Sequence, residues 1–233
     1  MLRLQHKLHD DDDESVAVAQ AKTVLAQALV KVPALDEALP LLNSALNAHM
    51  SKGRHGDRLR VANLLCHVYR TGGRLEDAEI LLKESIAACV EKDGAKSNHA
   101  LHFIFQLGNV LASNDNKLEE AEKTLREAVA GLTEVLGPDK EDTLNASGAL
   151  AMLLRKRKKE AEAEPILEAT LNQARSKLGP QHRITLSLLN NLGVMYSAEG
   201  RLEESEVLYR EALATKRSVR AQGLKPLALR SRL

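Results

Sequence analysis

The chain has 233 residues, 44% of them hydrophobic, with three Tyr, two Phe and no Trp, so its core must be built from aliphatic side chains and a ring-walled ligand pocket is disfavoured. The 33 Lys and Arg against 32 Asp and Glu leave a net charge of +1, which supplies no general attraction to nucleic acid or to a membrane surface. Two cysteines outside any Cys-x-x-Cys spacing exclude a disulfide scaffold and suit a reducing compartment, and no apolar run approaches the ~20 residues that span a bilayer.

Residues 1–14 are predicted as an acidic disordered leader. Met1 to His9 is too short and polar for a signal peptide, and the run Asp10 to Glu14 is unlike an organelle presequence. The cytoplasm is therefore the expected compartment, with a mitochondrion or plastid as the alternative if a presequence has been removed. Residues 15–54 read as a degenerate helix pair. At an offset of 40 residues, Leu25 falls on Leu65, Leu29 on Tyr69, Pro33 on Gly73 and Leu35-Asp36-Glu37-Ala38 on Leu75-Glu76-Asp77-Ala78.

Four clearer units follow, predicted at about 55–97, 98–138, 139–180 and 181–220. One marker is the glutamate that follows Ala or Ser in each: Glu79, Glu122, Glu164 and Glu206, spaced by 43, 42 and 42 residues. Another is Leu136-Gly137-Pro138, repeated 42 residues later as Leu178-Gly179-Pro180. Each unit reads as two helices. In the last, Leu186, Leu189, Leu192, Gly193 and Tyr196 share one helical face, and Gly200 supplies the turn. Leu202, Ser205, Leu208, Tyr209, Ala212 and Leu213 make the face of the second helix. Small Gly193, Ser205 and Ala212 are expected where helix backbones cross closely. Leu-Gly-Pro ends a second helix, and Thr143 and Thr185 are expected to N-cap the next first helix. Pro40 and Pro165 share a repeat position about one turn into a second helix, where a missing N–H costs less. Residues 221–233 form a basic tail.

These residues resemble the tetratricopeptide repeat, over roughly Arg60 to Arg220. The 42-residue spacing and the opening Leu178-Gly179-Pro180-Gln181-His182-Arg183-Ile184-Thr185-Leu186 are similar to the variant found in kinesin light chains. The chain departs from that pattern at Arg183 (usually Pro), at Lys140 (His), at Leu111 and Leu154 (Tyr), and at Lys158 (the turn Gly). No heptad coiled coil of the kind that precedes such repeats in a kinesin light chain is present upstream. The resemblance implies an all-α fold, a right-handed superhelical solenoid of helix-turn-helix repeats. It implies a non-catalytic protein-interaction scaffold or adaptor, with co-chaperones and assembly factors among such proteins, and a binding groove lined by the first helix of each pair.

Read in that register, the groove residues are Arg60, Asn63, His67, Arg70 and Thr71 in the first unit and His102, Phe105, Gln106 and Asn109 in the second. The third contributes Asn145, Met152, Arg155 and Lys156, and the fourth Ser187, Asn190, Asn191, Val194 and Ser197. The set has no carboxylate, four cations and many amides, so a protein or acidic peptide is the expected partner, with Phe105 and Met152 as apolar anchors. Neither a cofactor nor a metal is expected: His99 and His102 are three apart but lack further ligands nearby in sequence. Cys66 reads as a core thiol. The run Arg155-Lys156-Arg157-Lys158-Lys159 offers an alternative, nucleic-acid-associated function, weakened by the lack of interleaved aromatics. A homodimer, if formed, is expected to use the C-terminal end.

Overall fold

The computed structural model describes residues 17–29, 35–51 and 55–223. The predicted leader and residues 224–233 of the predicted tail lie outside them. All regular structure among the described residues is helical. The elements are α1 (17–29), α2 (Leu35–Ser51), α3 (His55–Thr71), α4 (Leu75–Asp93) and α5 (Asn98–Ala112), then a 3-10 turn at Asp115–Lys117. There follow α6 (Leu118–Val135), α7 (Glu141–Lys156), α8 (Glu160–Lys177), α9 (Arg183–Ala198) and α10 (Leu202–Gly223). They fall into two compact units that divide between Asn114 and Asp115, so α5 and α6 of the predicted second repeat belong to different units.

In unit 1 the core joins Ala19 and Ala26 of α1, Ala38, Leu42 and Ala45 of α2, and Val61, Leu65 and Val68 of α3. Alanines at the contacts let the helix backbones approach. The degenerate pair is half in the predicted register. Ala38 and Leu42 are buried like Ala78 and Leu82, 40 residues on. Leu25, however, is exposed although Leu65 is buried, while its neighbour Ala26 is buried like Cys66, 40 residues on. Only the side of α1 that carries Ala19 and Ala26 joins the core, and Leu25, about 100° around the helix from Ala26, points outward.

In unit 2, α7 packs on α8 and α9 on α10, while α6 packs on α7 and α8 on α9. The small residues do what their size suggests. A Cβ on Gly193 would lie 2.9 Å from the ring of Tyr209, and one on Gly148 would lie 2.6 Å from Leu188 Cδ2. Ser205 Oγ donates to the Gly193 carbonyl at 2.8 Å, joining α10 to α9 at the crossing. Leu202 and Leu213 do not join the buried face of α10 as expected: Ser205 and Leu208 are buried, and both leucines are exposed.

Three first helices end in one kind of turn. The N–H of Arg74, Lys159 and Arg201 reaches back five residues to the carbonyl of Tyr69, Leu154 and Tyr196, at 2.7, 2.9 and 2.9 Å. That closure needs a left-handed residue just before it. Gly73 and Gly200 supply it with φ of 73° and 79°; Lys158 does so with φ of 58°. The turn therefore survives the loss of its glycine, at a steric cost. The residue after it is put to use: the Arg74 guanidinium lies over the Tyr69 ring at 4.8 Å, and that of Arg201 over Tyr196 at 3.7 Å.

The recurring glutamate receives the basic residue of the next turn. Glu164 accepts from Arg201 at 2.5 Å. Glu122, only 7% exposed, accepts from Lys159 at 3.0 Å, from Arg126 at 2.9 Å and from Arg157. Burial pulls the Glu122 carboxyl up, but the bonds from Lys159 and Arg126 and the Arg157 charge outweigh it and hold the group below the usual carboxylate range. Glu79 and Glu206 instead pair within their own helices, with Lys83 at 2.6 Å and Arg210 at 2.7 Å.

Two expectations are corrected at helix starts. Thr143 and Thr185 are not N-caps: Lys140 and His182 hold those positions, and the His182 side chain accepts from the Ile184 N–H. Both threonines lie one turn inside and donate backward, to the carbonyls of Gly137 and Gly179 at 2.8 Å. They thus lock the Leu-Gly-Pro turn to the helix that follows. Pro165 is the sixth residue of α8, just past the free N–H groups of the first turn, so its missing donor removes a real helical bond.

Two measurements check these points. Lys158→Gly should stabilise the chain by about 1 kcal/mol in chemical denaturation, by relieving a left-handed non-glycine residue. Glu122→Gln should lower stability by about 2 kcal/mol near neutral pH, because it leaves three cations without their shared acceptor. A carboxyl held low in the folded state contributes above its unfolded value of about 4.3 and loses that contribution as pH falls through the folded value. Wild type should therefore lose stability more steeply than Glu122→Gln as pH is lowered below about 4.5.

Candidate functional site

The first-helix residues named above lie in stripes beside the buried faces of α3, α5, α7 and α9. On α3, Arg60, His67 and Arg70 are exposed and Asn63 is half-buried; on α5, His102, Phe105, Gln106 and Asn109 are all half-buried. In unit 2, Lys156 and Asn190 are exposed, while Asn145, Met152, Arg155 and Asn191 are half-buried. None of these positions is in the core. The stripes exist because the buried positions of each first helix cover less than its circumference, leaving the remaining positions to solvent.

In unit 1 a cavity of about 250 Å³ opens between the first helices α1 and α3. Gln20, Thr23 and Gln27 of α1 line it with Asp57 and Arg60 of α3, and the buried His49 of α2 contributes to its wall. Sequence reasoning found Arg60 there but missed the α1 residues and Asp57. The offset of 40 residues sets Gln20, Thr23 and Gln27 against Arg60, Asn63 and His67, and so could have found the former. Asp57 lies three residues before Arg60 on the same helix, a spacing that does signal a pair.

That pair alters the charge of the face. Arg60 Nη2 donates to Asp57 Oδ1 at 2.7 Å, and Lys156 Nζ lies 2.6 Å from Asp115 Oδ1. Two of the four cations thus carry an acid partner of their own. Arg70 and Arg155 have no ion pair among the described residues, and the buried Nε of Arg155 has no hydrogen-bond acceptor. Asn63 Oδ1 is likewise buried without a donor. These two groups leave an unmet donor in unit 2 and an unmet acceptor in unit 1.

The basic run 155–159 is largely consumed by structure. Lys156 binds Asp115, Arg157 and Lys159 bind Glu122, and Lys158 forms the left-handed turn. What remains is little of the contiguous positive surface that phosphate binding needs. His99 Nδ1 stands 4.0 Å from Asp93, and His102 Nε2 is 3.5 Å from Gln106. Among the described residues no three His, Cys, Asp or Glu side chains converge as metal ligands would. Cys66 is buried, and burial pushes its thiol up to about 11 against the opposing charge of Arg70. At neutral pH it is a protonated core side chain. No helix among the described residues is long and apolar enough to cross a membrane.

A sequence profile of the tetratricopeptide repeat matches residues 98–176 and 144–218. No curated protein matches the chain. Solved structures of similar fold include kinesin-light-chain-type TPR-like repeats from Podosopora anserina, at 20% identity over 89% of this chain and 98% of that one, with a TM-score of 0.70. BtubC from P. vanneervenii is similar at 19% identity over 98% and 91%, with a TM-score of 0.74. A Rap protein solved in complex with Competence and Sporulation Factor is similar at 13% identity over 89% and 66%, with a TM-score of 0.58. At these identities the likeness is one of fold.

Proposed function

We propose that this chain, which belongs to the tetratricopeptide repeat family, is a non-catalytic scaffold or adaptor whose first-helix faces, in each unit by itself, hold acidic peptide segments of a partner protein. The observation that carries this reading is the stripes of half-exposed amides on α3 and α5 of unit 1 and on α7 and α9 of unit 2, with Arg70 and Arg155 as cations that have no ion pair among the described residues. Arg forks would hold carboxylates, Asn and Gln would bond the peptide backbone, and Phe105 in unit 1 and Met152 in unit 2 would each seat an apolar side chain. The similar Rap fold, solved with a bound factor, supports such use of the architecture. Two buried thiols outside any disulfide suit a reducing compartment, where a role as co-chaperone or assembly factor would place it.

The outer side of α10 supports a further contact. Leu213 is 54% exposed, whereas its counterpart one repeat earlier, Leu171, is 2% exposed beneath α9. A second copy covering Leu213 would make a homodimer through this end. Light scattering should then show a dimer at high concentration that Leu213→Glu abolishes; a wild type that stays monomeric would remove the idea.

The binding face is tested by affinity capture from the source cell, with circular dichroism to show that each variant folds. Arg70→Glu with Arg155→Glu should lose the captured partners. Arg60→Glu with Lys156→Glu should weaken capture less, because those cations already face Asp57 and Asp115. Equal capture by wild type and the Arg70/Arg155 variant would move the binding site elsewhere.

A further inference from the structure

The second helices of unit 2 differ from one repeat to the next in a way that leaves a site open. Between α8 and α10, beside α9, lies a cavity of about 370 Å³. Leu171, Leu192 and Leu208 give it apolar walls, and Val207, 65% exposed, forms its lip. Glu168 of α8 and Glu204 of α10 line it from the two flanking helices. Ion pairs tie the same two helices elsewhere, Arg201 to Glu164 at 2.5 Å and Arg175 to Glu211 at 2.6 Å.

One repeat earlier the corresponding place is filled. The 42-residue register sets Arg126 against Glu168 and Glu162 against Glu204. Arg126 Nη2 reaches from α6 to Glu162 Oε2 of α8 at 2.7 Å, so a guanidinium spans the two second helices. In the last repeat both positions are carboxylates and cannot bridge. Glu168 accepts from Tyr196 Oη at 2.6 Å, and Glu204 is held at 2.7 Å by Arg201, the residue just before α10. No described side chain brings a cation from α8 to Glu204 as Arg126 does to Glu162. Beside the gap, Arg175 Nε is buried without an acceptor.

We propose that this cavity is a second docking site, which receives a Lys or Arg side chain of a partner protein with an aliphatic side chain about one helical turn away. The cation stands between Glu168 and Glu204, as Arg126 stands toward Glu162 one repeat earlier. The aliphatic group covers Leu192, Leu208 and Val207. Arg175 Nε donates to a carbonyl of the same segment. The charge preference is opposite to that of the first-helix face, so the two sites select different segments.

The test uses the full chain and a fluorescein-labelled, alanine-rich helical peptide carrying one Arg and, four residues on, one Leu, read by fluorescence anisotropy. A second peptide has Glu in place of the Arg. The Arg peptide should bind and the Glu peptide should not. Glu168→Arg, which restores the earlier repeat's bridge toward Glu204, should weaken binding by about tenfold or more, by filling the site and removing its charge. Glu204→Gln provides a milder loss should Glu168→Arg fail to fold by circular dichroism. The proposal is overturned if the two peptides bind alike, if neither binds at millimolar protein, or if binding survives both substitutions. It is also overturned if binding is lost instead in the Arg70→Glu, Arg155→Glu variant, which places the peptide on the other face.

Discussion

The left-handed residue that closes the turns after α3, α7 and α9 is the constraint from which the rest follows. It allows an N–H to reach back five residues and so reverses the chain within two or three residues. The same reversal throws the next side chain, Arg74, Lys159 or Arg201, across the end of the helix just completed. Where a Tyr precedes, the guanidinium lies on its ring; in unit 2 the cation also meets the glutamate of the preceding second helix. A local backbone choice thereby becomes a bond between consecutive repeats. Lys158 demonstrates the strength of the demand, because the position takes the left-handed conformation even with a side chain that disfavours it.

Electrostatics divides the surface of unit 2 by helix type. Charges at turns and on second helices are mostly paired, and Glu122 alone gathers three cations. First helices carry amides, hydroxyls and a few bases instead. Such a division leaves the groove positions named in unit 2 able to meet a ligand without first breaking an internal ion pair, except at Lys156. The second-helix side is sealed by ion pairs wherever opposite charges recur in register, and is open where Glu168 breaks the alternation.

Much of the fold was legible because a repeat prints its geometry several times. The Leu-Gly-Pro phrase located the ends of α6 and α8, and Gly73 and Gly200 located the tight turns. Small Gly193 and Ser205 marked a close crossing for a steric reason that needs no coordinates. What escaped was long-range or sensitive to phase. The glutamate served as a ruler, yet its tie to a residue 35 to 37 positions ahead leaves no trace in helical periodicity. Thr143 stands near a helix start, but its hydroxyl reaches backward to a turn carbonyl rather than forward to a helical N–H. Leu25 matched a buried leucine by letter, but only one side of α1 is buried and Leu25 lies off it. Candidate binding residues were legible as off-stripe positions. Of their acid neighbours, Asp57 was signalled by its three-residue spacing to Arg60, whereas Asp115 falls outside the repeat's own pattern.

Both thiols of the chain, Cys66 and Cys89, lie in unit 1, each buried and outside any disulfide, and residues 115–233 contain none. A closed unit 1 hides them from a thiol reagent, and burial further suppresses the reactive thiolate. Their alkylation therefore requires that unit to open, locally or as a whole, while opening confined to unit 2 leaves no chemical mark. The natural sequence thus carries a built-in reporter that can tell which half of the repeat array breathes first.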